Sequence, residues 1–161
     1  MIIDNNAIFS GTVTNAAGSA GTVVAGQTVT GTNTSVLSTN TYDLGVARDI
    51  GKGEALEIAI ETTVAASGGT SVQFQLIQAD DAALTSNVQV INQTDAIAVA
   101  TLTLGKQISL HVDRVDPLSA KRYLGVRYVL VGAVAAGAYF AAVVKSLADP
   151  QVNYPNGFAV L

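Results

Sequence analysis

LEIAIETTVAASGGTSVQFQLIQ, residues 56–78, is the stretch that decides the fold class. Leu56, Ile58, Ile60 and Val64 fall on one side of an extended chain, with Glu57, Glu61 and Thr63 on the other, because successive side chains of a strand point to opposite faces. Ser67-Gly68-Gly69 then supplies turn residues, and beyond it Val72, Phe74 and Leu76 alternate with Gln73 and Gln75. Two alternating runs around a glycine turn predict an antiparallel β-hairpin with one face buried and one face wet.

Toward the C-terminus the same period recurs in short runs, at Val88 and Val90, at Ile97 and Val99, and at Ile108, Leu110 and Val112. Between Arg122 and Val131, Leu124, Val126, Tyr128 and Leu130 share one face while Tyr123, Arg127, Val129 and Val131 share the other, so both faces are expected to be covered. The next run, AAGAYFAAVVKSLADP (135–150), holds five Ala between Ala135 and Ala142 and ends at Pro150, a composition that also suits a helix. Its β-forming residues Tyr139, Phe140, Val143 and Val144 favour a strand at 138–144.

Toward the N-terminus, residues 10–40 are rich in Gly, Thr, Ser, Ala and Asn and almost free of charge. A Gly-Thr pair recurs at Gly11, Gly21 and Gly31, but three imperfect copies do not build a solenoid. The segment is expected to be an extended arm or loop with short strands, held by a neighbouring subunit because ordering it alone costs much entropy. At 161 residues the chain is about one domain long. Residues 1–40 are expected to form the Gly/Thr-rich N-terminal arm and residues 41–161 an antiparallel, jelly-roll-like β-sandwich.

Composition narrows the function. The chain is 49% hydrophobic and 12% charged, against about 25% charged residues in ordinary soluble domains. Its surface is therefore expected to be largely neutral, which permits close contact with protein without desolvating many ions. A net charge of −4 with only 8 Lys and Arg leaves no electrostatic footprint for nucleic acid. The lack of Cys excludes a disulfide framework, a Cys zinc site and a thiol nucleophile. The opening MIIDNNAIFSG has no basic region and no long apolar stretch, so no signal peptide is expected, and the sequons at Asn33 and Asn92 carry no glycosylation message. Residues 128–144 hold no charge, but these 17 residues fall short of the ~20 a spanning helix needs and are broken by Gly132 and Gly137, so a buried hairpin is expected rather than a membrane segment.

No reaction centre is expected. His111, the only His, shares a strand face with Asp113, but no Gly-x-Ser-x-Gly elbow or Ser at a recognisable spacing completes a triad. Asp80 and Asp81 are adjacent, so they diverge on a strand where paired catalytic carboxylates must converge; they are expected to end a strand and open a turn. Ligands for a transition metal are lacking and no calcium-loop spacing occurs. Gly51-Lys52-Gly53-Glu54 lacks the phosphate-loop pattern and is expected to be a turn.

One stretch carries a family resemblance. Tyr42-Asp43-Leu44-Gly45, then Ala47-Arg48-Asp49-Ile50-Gly51-x-Gly53-Glu54 and a strand, resembles the opening of the capsid cement, or decoration, proteins of short-tailed bacteriophages. The resemblance continues through Val72 to Gln78, Asp80-Asp81, Lys121-Arg122-Tyr123-Leu124 and Tyr154-Pro155-Asn156-Gly157-Phe158, with Ile8-Phe9-Ser10 as an early match. Relative to that family, the sequence around Gly11–Gly26 is additional. The resemblance implies a jelly-roll-like virion subunit on the capsid exterior, assembled in the bacterial host cytoplasm. It would clamp neighbouring major capsid proteins, associate as a homodimer or homotrimer, and have no catalysis and no cofactor.

On that resemblance the candidate contact residues are Ile8, Phe9, Arg48, Asp49, Tyr154, Phe158 and Leu161. Arg48 either pairs with Asp49 on the surface, a contact worth little, or anchors a carboxylate on a partner. The apolar tails, Met1 to Ser10 and Ala148 to Leu161, are expected to dock on a neighbour. The rival expectation is a receptor- or carbohydrate-binding β-sandwich of a phage tail. Such a site wants exposed aromatics, and the chain has no Trp, five Tyr and four Phe.

Overall fold

The computed structural model describes residues 7–14, 22–47, 56–112 and 119–144. In chain order the strands are β1 (Ile8–Ser10), β2 (Thr12–Thr14), β3 (Thr22–Ala25), β4 (Gln27–Thr28), β5 (Gly31–Thr32), β6 (Ser35–Leu37) and β7 (Tyr42–Asp43). They continue with β8 (Leu56–Gly68), β9 (Ser71–Ala79), β10 (Gln89–Gln93), β11 (Ile97–Ala98), β12 (Gln107–Val112), β13 (Tyr123–Val131) and β14 (Ala133–Val144). A 3₁₀ turn at Val99–Thr101 separates β11 from β12. The segment that also suited a helix is strand β14 as far as Val144.

The expected hairpin at residues 56–78 is corrected by the pairing. β8 pairs antiparallel with β14 and β9 with β13, and the register runs from Glu57 opposite Val144 to Ala79 opposite Tyr123. The two halves form one long ribbon, creased at Gly68-Gly69 on one strand and Gly132 on the other, so that its arms lie in different sheets. All three glycines have positive φ, and a Cβ on Gly132 would stand 2.9 Å from the Gly69 Cα. Only glycine lets the strands cross that closely. Creasing the ribbon lays Ile58 and Ile60 against Val72, Phe74 and Leu76 face to face, whereas a flat hairpin would leave both apolar faces side by side. For the same reason β13 and β14 are not the buried hairpin expected at 128–144.

Further strands flank the ribbon and follow it over the crease. β4 and β5 run along β14, then β6 and β7 along β13. On the other side β10 and β11 run along β9, then β12 along β8. The result is two six-stranded antiparallel sheets packed as a β-sandwich: sheet I (β1, β4, β5, β8, β12, β14) and sheet II (β6, β7, β9, β10, β11, β13). Winding an antiparallel band over on itself is what gives the sandwich its jelly-roll-like character.

Ile58, Ile60, Val72, Phe74, Leu76, Leu110, Leu124, Val126, Tyr128, Leu130 and Tyr139 fill the interior. Each such side chain contributes about 1.5–3 kcal/mol by burial. Phe74 meets Tyr128 and Tyr139 edge-on at 5.7 and 5.0 Å, and the two tyrosines stack at 5.5 Å. Two valines depart from the alternation. Val64 is 51% exposed because β8 carries an extra residue against β14 between Thr62 and Val64, and such a bulge turns the next side chain to the other face. Val90 is exposed beside a similar shift in β10.

The Gly/Thr-rich segment is extended with short strands, as its composition predicts, but the chain's own sandwich holds its described part. β1, β4, β5 and β6 pair onto β13 and β14, while β2 and β3 form a separate two-stranded hairpin. A buried chain of hydrogen bonds locks this segment in place. Tyr128 Oη donates to Ser10 Oγ (2.8 Å), Ser10 Oγ donates to Gln27 Oε1 (2.8 Å), and Gln27 Nε2 donates to the Leu37 carbonyl (2.7 Å).

Candidate interface

The outer faces of the two sheets differ. The outer face of sheet I carries Phe140 and Ala142, both buried with Ile8 in a second apolar cluster against which Val13 packs. The N-terminal strands therefore act as a cover. Gly26 makes the fit possible: a Cβ there would collide with Thr63 Oγ1 and sit 2.8 Å from the Tyr139 backbone. Farther along the face, Glu57 is buried, and His111 Nε2 stands 3.5 Å from its Oε1, an ion pair when the imidazole is protonated.

Among the described residues, sheet II is covered most fully at one end. Leu84, on the loop after β9, packs with Ile77 and Ala79 and lies over Gly125, where any Cβ would collide with it. The rest of the face carries a polar ladder beside Val129 and Val131. Gln75 Nε2 donates to Gln93 Oε1 (2.8 Å) and Gln73 Oε1 (3.1 Å), Gln73 Nε2 donates to the Thr94 carbonyl (2.9 Å), and Arg127 Nε donates to Gln75 Oε1 (2.7 Å). This glutamine ladder borders a shallow, open depression of about 660 Å³ lined by Asn33, Thr34, Ser35, Arg127, Val129 and Val131. The expectation that β13 is covered on both faces thus holds at Gly125 but not at Val131, which is exposed.

Two exposed turns frame sheet II. Arg122 grips Asp43 through a two-pronged fork, Nε to Oδ1 at 2.7 Å and Nη2 to Oδ2 at 2.8 Å, while the Gly45 N–H donates to Oδ1. The Arg122 hydrogen bonds first, then the Gly45 N–H, hold the Asp43 carboxyl at about 2, well below its ordinary value. This grip fastens the Tyr42-Asp43-Leu44-Gly45 turn to the start of β13, with Leu44 buried. Asp80 accepts from Asn87 and Lys121, and Asp81 from the Thr85 and Ser86 N–H groups and the Thr85 hydroxyl, which lowers both carboxyls. The adjacent aspartates end β9 and build a turn, as expected.

Of the candidate contact residues, Ile8 and Phe9 are corrected by the structure: both are buried in the chain's own sandwich, Phe9 at 1% exposure, because β1 pairs with β14. Arg48, Asp49, Tyr154, Phe158 and Leu161 lie outside the described residues, as do Asp113 and Gly51 to Glu54. His111 has an exposed side chain opposite Glu57. Among the described residues no group of three or more His, Cys, Asp or Glu side chains could hold a metal, and no helix is long and apolar enough to cross a membrane. Tyr42 is the only aromatic side chain among them that is exposed.

Arg127 with the Gln73, Gln75 and Gln93 ladder is not among the residues expected from sequence. The signal was present in the Val-Gln-Phe-Gln-Leu alternation of β9, whose polar positions mark the face on which the amides hydrogen-bond one another. Against known families, a model described as Bbp16 matches residues 23–144. The match begins within β3 and ends with β14, so β1 and β2 lie before it. No curated protein matches the chain.

Proposed function

The chain belongs to the Bbp16 family, and from that premise and the geometry above we propose that it is a structural, non-enzymatic virion protein: a cement or decoration subunit on the exterior of a bacteriophage head. It binds neighbouring major capsid proteins and copies of itself, needs no cofactor, and joins the particle in the host cytoplasm. The observation that carries this is the outer face of sheet II around Arg127, Val129 and Val131, a hydrogen-bonded surface left as an open depression among the described residues, whereas on the other outer face the N-terminal strands cover the β14 side. Such a face meets protein at little desolvation cost. The resemblance of residues 42–161 to capsid cement proteins supports the same reading.

A subunit that bridges two shell proteins makes its second contact intramolecularly, so interfaces of ordinary size, about 1,200–2,000 Å² in total, gain from high effective concentration. The test is stoichiometry. Purified particles on a denaturing gel are expected to show the 16.4 kDa band in fixed, high proportion to the major capsid band. A band present at tail-component levels, or absent from intact particles, contradicts the proposal.

A further inference from the structure

We infer that the depression over Arg127 on the outer face of sheet II receives a carboxylate side chain from an acidic segment of the shell protein, an inference that rests on the cement reading for the partner's identity. Arg127 is half-buried near the middle of β13, and among the described residues only its Nε is engaged, by Gln75 Oε1 at 2.7 Å. Gln75 is fixed in turn by Gln73 and Gln93, and all three are uncharged. The ladder thus orients the guanidinium without neutralising it. Among the described residues no carboxylate pairs with Arg127, whereas Lys121 and Arg122 at the rim of the same sheet are each paired with an aspartate.

A half-buried, pre-oriented guanidinium without a counter-charge suits the planar, two-pronged geometry of a carboxylate. Its surroundings fit a protein segment. Val129 and Val131 offer apolar contact, while Asn33, Thr34 and Ser35 offer polar groups at the edge where β6 borders the sheet. Orientation in advance reduces the entropy lost on binding. A single cation among neutral amides selects an acidic side chain rather than a polyanion, which demands a cluster of cations.

Two arms test this with the full-length protein. In solution, hexaglutamate peptide is titrated against the wild type and Arg127→Gln, following the Arg127 Nε–H and Val129 amide signals by NMR, with hexalysine as control. Saturable shifts confined to the depression, present with hexaglutamate and lost in Arg127→Gln, are expected; their absence in the wild type overturns the inference whatever the particle work shows. On particles stripped of the protein, Arg127→Glu is expected to reduce occupancy at least tenfold, while its thermal unfolding stays close to wild type. A photo-crosslinker at Val129 should mark an acidic segment of the major capsid protein. Undiminished Arg127→Glu occupancy, or crosslinks to a second copy of this chain, overturns the inference and leaves the cement proposal standing. A wild type that fails to bind particles while the peptide shifts persist removes the cement proposal and keeps the carboxylate site.

Discussion

The outer faces of the two sheets are built from neighbouring strands of one creased ribbon, yet they end differently. On sheet I, β14 reads Tyr-Phe-Ala-Ala from Tyr139 to Ala142, apolar on both sides, and the N-terminal strands cover the outward pair. On sheet II, β9 reads Val-Gln-Phe-Gln-Leu from Val72 to Leu76, and its outward Gln73 and Gln75, half-buried and buried, are tied into a hydrogen-bonded ladder beside the open depression. Coverage follows the side chains: an apolar outer face recruits chain to hide it, while amides that satisfy one another's hydrogen bonds need no such cover. The covered β14 side of sheet I adds buried apolar area, while the depression on sheet II is accessible among the described residues.

The strongest attack on this contrast is at Phe140. Phe140→Ala should cost about 3 kcal/mol of stability through cavity formation and loosened cover, whereas Gln73→Ala, which removes two hydrogen bonds of the ladder, should cost only about 1 kcal/mol. Urea denaturation of both variants decides it, and equal costs would erase the distinction between the faces.

A smaller effect is expected where the cover is pinned from beneath. Ser10→Ala leaves the buried Tyr128 hydroxyl without its acceptor and should cost about 1–3 kcal/mol. Adding Tyr128→Phe should recover part of that loss, since the orphaned hydroxyl is then gone. If the double variant is no better than the sum of the single ones, the link between cover and core is not as drawn.

The weakest perturbation is pH. Burial raises the hydroxyl pKa of Tyr128 and pushes that of Tyr139 up to about 12, while the unfolded chain titrates near the ordinary value of ~10. Between those values the unfolded state has released protons that the folded state retains. Stability is therefore fully present below pH ~10 and falls as pH rises through about 12. Asp43 works in the opposite direction at the open rim: its contribution is present above the ordinary 3.8 and is lost as pH falls through about 2. Because Asp43 is exposed, the acid effect should be the shallower of the two. Denaturant midpoints across pH, with Tyr128→Phe flattening the alkaline limb and Asp43→Asn the acid limb, measure both.

Much of this architecture was legible in the residues. The alternation in β8, β9, β12 and β13 gave the strands and their buried sides, and Asp80-Asp81 read correctly as a turn. The pairing was not legible, because Ser67-Gly68-Gly69 suits a hairpin as well as a crease; only the partners waiting in β13 and β14, more than fifty residues away, decide between them. Val64 and Val90 were misplaced because bulges shift the period and have no clear mark in sequence. Ile8 and Phe9 looked like docking residues because nothing local says that β1 will find the edge of β14. The Arg127 site was hidden for a similar reason: Arg127 and Gln75 meet only through the register of β13 with β9.

The most direct test is a hydrogen-exchange footprint of the protein free and bound to capsids. The account predicts new protection on binding in Gln73–Gln75, Arg127–Val131 and Ser35–Leu37, with Phe140–Ala142 equally protected in both states. Protection gained over Phe140–Ala142, with β9 and β13 unchanged, would place the contact on the covered face and contradict it.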